Sequence, residues 1–406
     1  MKREGWLVRL RLLLTFLLLY SGASPAFFSN VIVFGDSLSD GGNFPESSQI
    51  WWHPSAEKTL NNTVAQLYVP FANPVYTDKS HQQWPPLDAR YLADQAPISG
   101  YAAARRYRSI SWPQFFLMDA VNAKLTVSPY ISPSILLGEK PIPAHFSFNY
   151  AWGYATSTTH CVNPFYQPIT TCNANSIRAA RKNYVADPNK ENYEKLQIPG
   201  MPEQVKLFLE DERTHKVSVD QHTQYIFWIG GNDLIIASNA LLKNNNPLPA
   251  LQFLLGDTAT HIIHSVRYLL KQLPDNKRPK SIEAMELFNP GLTPGFYHTK
   301  LAGIGNFSAG RFNFWLHLDV WFFNLFSKTK IVIIPTYALY QHAASEAIFK
   351  KELGETCQLR GGDYTHPTSI PKDNCAGFMF WNVVHPATTM NERVGKLMLN
   401  GAQAVA

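Results

Sequence analysis

Val31-Ile32-Val33-Phe34-Gly35-Asp36-Ser37-Leu38-Ser39-Asp40-Gly41-Gly42-Asn43 runs a short apolar segment straight into a cluster of turn residues. An uninterrupted apolar run of this length, closed by Gly and Asp, is the pattern of a strand covered on both faces. Four more runs read the same way: Phe146 to Tyr150, Tyr225 to Ile229, Ser281 to Leu287 and Ile331 to Ile334. Helical periodicity lies between them. It is clearest in Ile262, Ile263, Val266, Leu269, Leu270 and Leu273, while Val205, Phe208 and Leu209 suggest a second helix and Ala338 to Leu353 a further one. Strands alternating with helices predict an α/β chain on a mostly parallel sheet of about five strands, with ligands at the carboxyl ends of those strands.

The chain has 406 residues, 45% hydrophobic and 16% charged, enough to bury a large core and unlike a disordered segment. Its net charge is +6, but the first 26 residues hold Lys2, Arg3, Arg9 and Arg11 against Glu4 alone, so the remainder is closer to neutral. That balance, with no long Lys/Arg run, argues against a nucleic-acid binder held by phosphate neutralisation. The basic start precedes an apolar run, Leu12 to Tyr20, and a small-residue stretch, Ser21 to Ala26. This predicts a secretory signal peptide over 1–26, too short to span a bilayer, and a secreted protein, periplasmic in transit. The rest, 27–406, reads as a single domain with a Trp/Pro/Tyr-rich insertion at 51–107. Asn175 to Gly200 is polar and reads as a surface loop or short helix.

An exported chain folds in an oxidising compartment, and the four cysteines fall into two sequence-local couples, Cys161 with Cys172 and Cys357 with Cys375. Four cysteines allow three connectivities; the local one is preferred because each couple lies in one Pro/Gly/Asn/Thr-rich segment. There is no CxxC, and His261 and His264, three apart on a helix, have no evident third ligand. They read as solvated or capped, and no metal or cofactor is expected.

Chemistry is expected at the strand ends. A serine at the tip of a buried strand, as Ser37 is, can project from a rigid sheet with its own N–H beside a reacting carbonyl. The run Tyr225 to Ile229 ends in Gly230-Gly231-Asn232-Asp233, presenting an amide at a second strand end, and Phe146 to Tyr150 leads to Gly153, where backbone can approach a ligand closely. Phe380-Trp381-Asn382-Val383-Val384-His385-Pro386 offers a late histidine. Asp36 and Asp40, beside the serine, read as turn and cap residues.

In these blocks the chain resembles the GDSL hydrolases of the SGNH superfamily, and within them the secreted bacterial branch of thermolabile haemolysins, phospholipases A and glycerophospholipid:cholesterol acyltransferases. Ser37, Asn232 and His385 match in order and context, and Leu287-Phe288-Asn289-Pro290-Gly291-Leu292-Thr293-Pro294 and Tyr337-Ala338-Leu339-Tyr340 resemble two further segments. The resemblance implies a flavodoxin-like three-layer α/β/α fold in which Ser37 attacks an ester carbonyl and His385 takes its proton. The N–H groups of Ser37 and Gly153 and the Asn232 side chain would form the oxyanion hole. Two positions depart from the pattern. The expected Gly-Gly is Gly153-Tyr154, and Asn382 stands where the family usually has the Asp that orients the histidine. An Asn carbonyl can accept the same Nδ1–H bond, so the expectation is a Ser–His dyad supported by Asn382 or another acceptor.

The resemblance thus implies a monomeric serine esterase acting on phospholipid or lysophospholipid at a membrane surface it touches transiently, with a sterol as a conceivable acyl acceptor. Two alternatives remain open at this point: a carbohydrate O-acetyl esterase, and a lipid-binding protein whose catalysis Asn382 has impaired.

Overall fold

Each of the five apolar runs forms a strand, and all five lie parallel in one sheet. The computed structural model describes residues 28–40, 43, 112–126, 131–134, 147–158, 160–187, 190–350, 353–355, 377–380 and 384–405, with two short paired strands at 76–77 and 83–84. The signal segment, nearly all of the 51–107 insertion, Cys357, Cys375 and Asn382 lie outside them.

The strands are β1 (Val31–Gly35), β2 (Ile131–Pro133), β3 (Ser147–Asn149), β4 (Gln224–Trp228), β5 (Ser281–Met285) and β6 (Lys330–Ile334). They line up as β6-β5-β4-β1-β3-β2, every neighbouring pair parallel. The sixth strand, β2, is a three-residue edge strand beyond the five expected. From β1 the chain goes to one edge, returns through β3, and then builds β4 to β6 on the other side. The order therefore reverses at β1, and a crevice opens beyond its carboxyl end, the position where α/β sheets bind ligands.

The central strand is sorted by its period of two. Ile32 and Phe34 face one core with Phe148, Tyr225, Phe227 and Ile282; Val31 and Val33 face the other with Ile226, Trp228 and Met285. The first core is closed by α3 (Met201–Arg213), α6 (Asp257–Gln272) and α7 (Leu301–Phe326), through Val205, Phe208, Ile262, Val266, Phe312 and Leu316. The second is closed by α1 (Trp112–Asn122), α8 (Thr336–Ser345) and α9 (Thr388–Val405), through Trp112, Phe116, Tyr340, Met390 and Val394. This is the three-layer α/β/α arrangement. Burying one such side chain stabilises the fold by about 1.5–3 kcal/mol, so both layers are held chiefly by apolar contact.

Two helices differ from expectation. The polar segment read as loop or short helix forms α2 (Ala174–Ala186), started by a reciprocal cap between Asn173 and Ser176. The helix expected over Ala338 to Leu353 is broken at Glu346 into α8 and a one-turn helix at Ala347–Lys350. The remaining helices used below are α4 (Gly231–Asn244) and α5 (Leu248–Leu255).

Candidate active site

The tip of β1 is fixed before any catalytic group is considered. A Cβ on Gly35 would lie 2.4 Å from the Trp228 carbonyl oxygen, so only glycine lets β1 and β4 approach this closely. Gln204 of α3 takes both of that glycine's backbone groups: its Oε1 accepts the Gly35 N–H at 2.9 Å and its Nε2 donates to the Gly35 carbonyl at 2.8 Å. Asp36 then ties the turn together. Its carboxyl accepts the N–H of Leu38 at 3.0 Å and those of Gly230 and Gly231 at the end of β4. Burial, with the charge of Asp233 nearby, pushes this carboxyl up to about 7. Asp40 accepts the N–H of Asn43 at 2.8 Å. Both acids thus hold turn backbone, Leu38 for Asp36 and Asn43 for Asp40.

Ser37 Oγ lies 2.8 Å from His385 Nε2, although 348 positions separate the two in the chain. Both side chains are buried, and burial lowers the His385 pKa to about 3, so the imidazole is neutral, the state from which a general base starts. The pair faces a cavity of about 140 Å³ beyond the end of β1. Its apolar wall is made by Leu234, Ile235, Leu287, Phe288, Phe296 and Val384, and its polar side by Asn232, Tyr154 and Tyr166.

Asn232 sits in the first turn of α4, where the helix dipole favours an anion. Its orientation is set from two sides. Tyr166 Oη donates to Asn232 Oδ1 at 2.8 Å, and Asn232 Nδ2 donates to the Ala155 carbonyl at 2.9 Å. One amide N–H and the Ser37 backbone N–H are left without a protein acceptor among the described residues, and both belong to residues lining the cavity.

Gly153 is placed differently from expectation. Its N–H donates to Asp40 Oδ2 at 2.7 Å, and it is Tyr154 that reaches the cavity wall. With the Gly153 N–H held by Asp40, the donors that face the cavity here are the Ser37 N–H and the Asn232 amide. Asn382 and the Cys357/Cys375 couple lie outside the described residues. Cys161 and Cys172 are bonded to each other.

Two site residues had no motif to announce them. Tyr154 and Tyr166 both take left-handed backbone, at φ of 65° and 60°, and their rings meet edge to face at 5.7 Å. Non-glycine residues in that region are strained, and strain of this kind gathers at functional sites. Tyr166 is carried by the hairpin Cys161–Val162/Pro168–Ile169, whose turn Asn163 organises by accepting the N–H of Phe165 and Gln167. Its only sequence signal is its place inside the loop closed by Cys161 and Cys172.

His261 is half-buried and held by hydrogen bonding. Its Nδ1 is 3.1 Å from Ser157 Oγ, which donates to Asp233 Oδ1 at 2.7 Å; the Ser157 N–H also goes to Asp233. This network clamps the strand-end loop carrying Ala155 to the start of α4, and so holds Asn232. Among the described residues no group of three or more His, Cys, Asp or Glu side chains could hold a metal ion, and no helix is long and apolar enough to cross a membrane. No protein-family model and no curated protein matches the chain, so any family assignment rests on the residues themselves.

Proposed function

We propose that this protein is a serine esterase of the SGNH type that cleaves acyl esters of phospholipid or lysophospholipid. The observation that carries the reading is the 2.8 Å contact of Ser37 Oγ with a neutral, buried His385, opening onto an apolar cavity at the reversal point of the sheet. The motif resemblance supports it independently.

In this reading His385 Nε2 takes the Ser37 proton as Oγ bonds to the ester carbonyl carbon. The carbonyl oxygen becomes an oxyanion, met by the Ser37 N–H and the Asn232 amide; losing one such donor typically costs about 10²- to 10³-fold in rate. Collapse breaks the bond to the leaving alcohol, which takes the proton back from His385, and leaves the acyl group on Ser37. Water, deprotonated by His385, then bonds to the acyl carbon, and collapse breaks the bond to Ser37 Oγ, which takes the proton back from His385 as the fatty acid leaves. A sterol hydroxyl taking the place of water would give a sterol ester through the same acyl-serine. Asn382 would act as the acceptor that steadies the imidazolium.

The apolar wall favours a long acyl chain over an acetyl group, since an acetyl ester gains little from Leu234, Ile235, Phe288 and Phe296. The test is fatty-acid release from lysophosphatidylcholine and diacyl phosphatidylcholine, with and without cholesterol, against Ser37→Ala. Release that the mutant abolishes is the expected result. Equal rates in the two proteins would refute the reading, and cleavage confined to acetyl esters would replace it with deacetylation.

A further inference from the structure

Helix α7 is apolar on both sides. Its inner stripe, Ala309, Phe312, Leu316, Val320 and Phe323, is buried in the core. Its outer stripe exposes Phe307, Phe314, Trp321, Phe322, Leu325 and Phe326, the last with 87% of its surface in solvent. Asn313, Asp319 and Asn324, which interrupt the helix, are turned to the protein, while Asn306 and His317 stay at its surface. Asn313 exchanges hydrogen bonds with both backbone groups of Leu287, and Asn324 with both of Ile331. Asp319 accepts from Thr260 at 2.9 Å, and His317 Nε2 meets Glu286 Oε1 at 2.8 Å. An ordinary surface helix does the opposite, with its polar groups outward.

The surface continues onto α5, which exposes Leu248, Leu251 and Leu255. This helix packs on α7, where Trp315 Nε1 donates to the Leu254 carbonyl at 3.0 Å and Phe253 stacks on Phe312. The sequence from 294 to 330 carries Lys300, Arg311, Lys328 and Lys330 against Asp319 alone, and that acid is hydrogen-bonded to Thr260. The Arg311 guanidinium lies over the rings of Phe314 and Trp315, at 5.2 and 5.6 Å. The same elements lead to the cavity: Leu234 and Ile235 of its wall are on α4, beside α5, and Phe296 stands a few residues before α7.

We propose that the outward faces of α7 and α5 are a docking surface for an anionic lipid bilayer, laying the protein on the membrane beside the mouth of its cavity. Exposed Trp, Phe and Leu with flanking Lys and Arg are the composition that lies in a headgroup interface, and a contiguous apolar surface of this kind marks an interaction site. The cations select an anionic over a zwitterionic surface. The choice of a lipid as partner rests on the esterase reading; the exposed face itself does not.

The test measures sedimentation of Ser37→Ala, which cannot consume its substrate, with roughly 3:1 phosphatidylcholine:phosphatidylglycerol vesicles and with phosphatidylcholine alone. Anionic vesicles should bind the protein more tightly. Trp321→Ser/Phe322→Ser/Phe326→Ser in that background should weaken binding at least tenfold, while the same triple change in the wild-type chain leaves hydrolysis of soluble p-nitrophenyl butyrate within twofold. If the triple variant fails to fold, Phe326→Glu alone should still weaken binding. Binding by Ser37→Ala with no fatty-acid release by the wild type would keep the docking surface and discard the esterase. No vesicle binding, or equal binding by the variants, overturns the proposal. So does a wild-type dimer in sedimentation velocity that the triple change dissociates, since the face would then belong to a second copy.

Discussion

Replacing Tyr166 by Phe removes one oxygen and tests the donor arrangement without touching the nucleophile. In the wild type the Tyr166 hydroxyl donates to Asn232 Oδ1 at 2.8 Å, which sets the amide nitrogen on the other side, where one N–H goes to Ala155 and the other, in the proposed reaction, would meet the oxyanion. Without that hydroxyl the flipped amide competes, held back only by the bond to Ala155. A net hydrogen bond is worth about 0.5–1.5 kcal/mol, so Tyr166→Phe should lower kcat for p-nitrophenyl butyrate by at most about 2- to 13-fold with little change in KM. Asn232→Ala removes the donor itself and should cost about 10²- to 10³-fold. Because the tyrosine acts only through the amide, the double variant should be no slower than Asn232→Ala alone. Multiplying losses in the double variant, or an unaltered kcat in Tyr166→Phe beside a crippled Asn232→Ala, would refute this account.

Four further outcomes are expected. His385 is lowered to about 3 by burial, so the folded protein resists a proton that the unfolded chain accepts below its ordinary 6.5; stability should fall as pH drops from about 6.5 towards 3, and urea midpoints that stay level over that range would contradict it. Glu283 is raised to about 8 by burial in β5, so its carboxyl costs stability increasingly as pH rises from about 4.5 through 8; Glu283→Gln, still able to accept from Gln224, should gain in melting temperature over wild type at pH 8 and not at pH 4.5. Gly35→Ala drives a Cβ into the Trp228 carbonyl and should cost about 1–3 kcal/mol or more by denaturant titration, with activity lost beyond the loss of folded protein. Cys161→Ser/Cys172→Ser opens a loop with a sequence separation of 11 and should cost about 2–3 kcal/mol; since this hairpin carries Tyr166, the slowing should not exceed that of Tyr166→Phe.

The parts of the protein legible in its sequence are those whose cause is local. A strand covered on both faces must be apolar throughout, so β1, β4, β5 and β6 could be read from a few residues each, and the turn chemistry that follows β1 and β4 sits in the same windows. The edge strand β2, Ile131-Ser132-Pro133, has neither length nor apolar character to mark it, and only its pairing with β3 makes it a strand. Helix α7 escaped for the opposite reason. A period of 3.6 shows only when one face is polar, and here both faces are apolar while Asn313, Asp319 and Asn324 are spent on backbone and side-chain bonds inside the fold.

The same distinction separates the two halves of the candidate site. Ser37, Asn232 and His385 each follow a recognisable local block, but what arms them comes from distant chain: Gln204 from α3 on the tip of β1, Tyr166 from a disulfide-closed hairpin on the amide, and His261 from α6 on the clamp beneath it. The misplaced donor shows why this matters. Gly153 has the residue type an oxyanion contact needs, yet Asp40, five residues past the end of β1, reaches across and takes its N–H. Asp40→Asn, by exchanging a charge-assisted acceptor for a neutral one, should loosen that N–H. If Gly153 were a donor held in reserve, the change would raise kcat. The structure predicts a fall instead, because the loop from Gly153 to Ser157 also carries the Ala155 carbonyl that holds Asn232 in place, and a kcat at or above wild type would return Gly153 to the oxyanion hole.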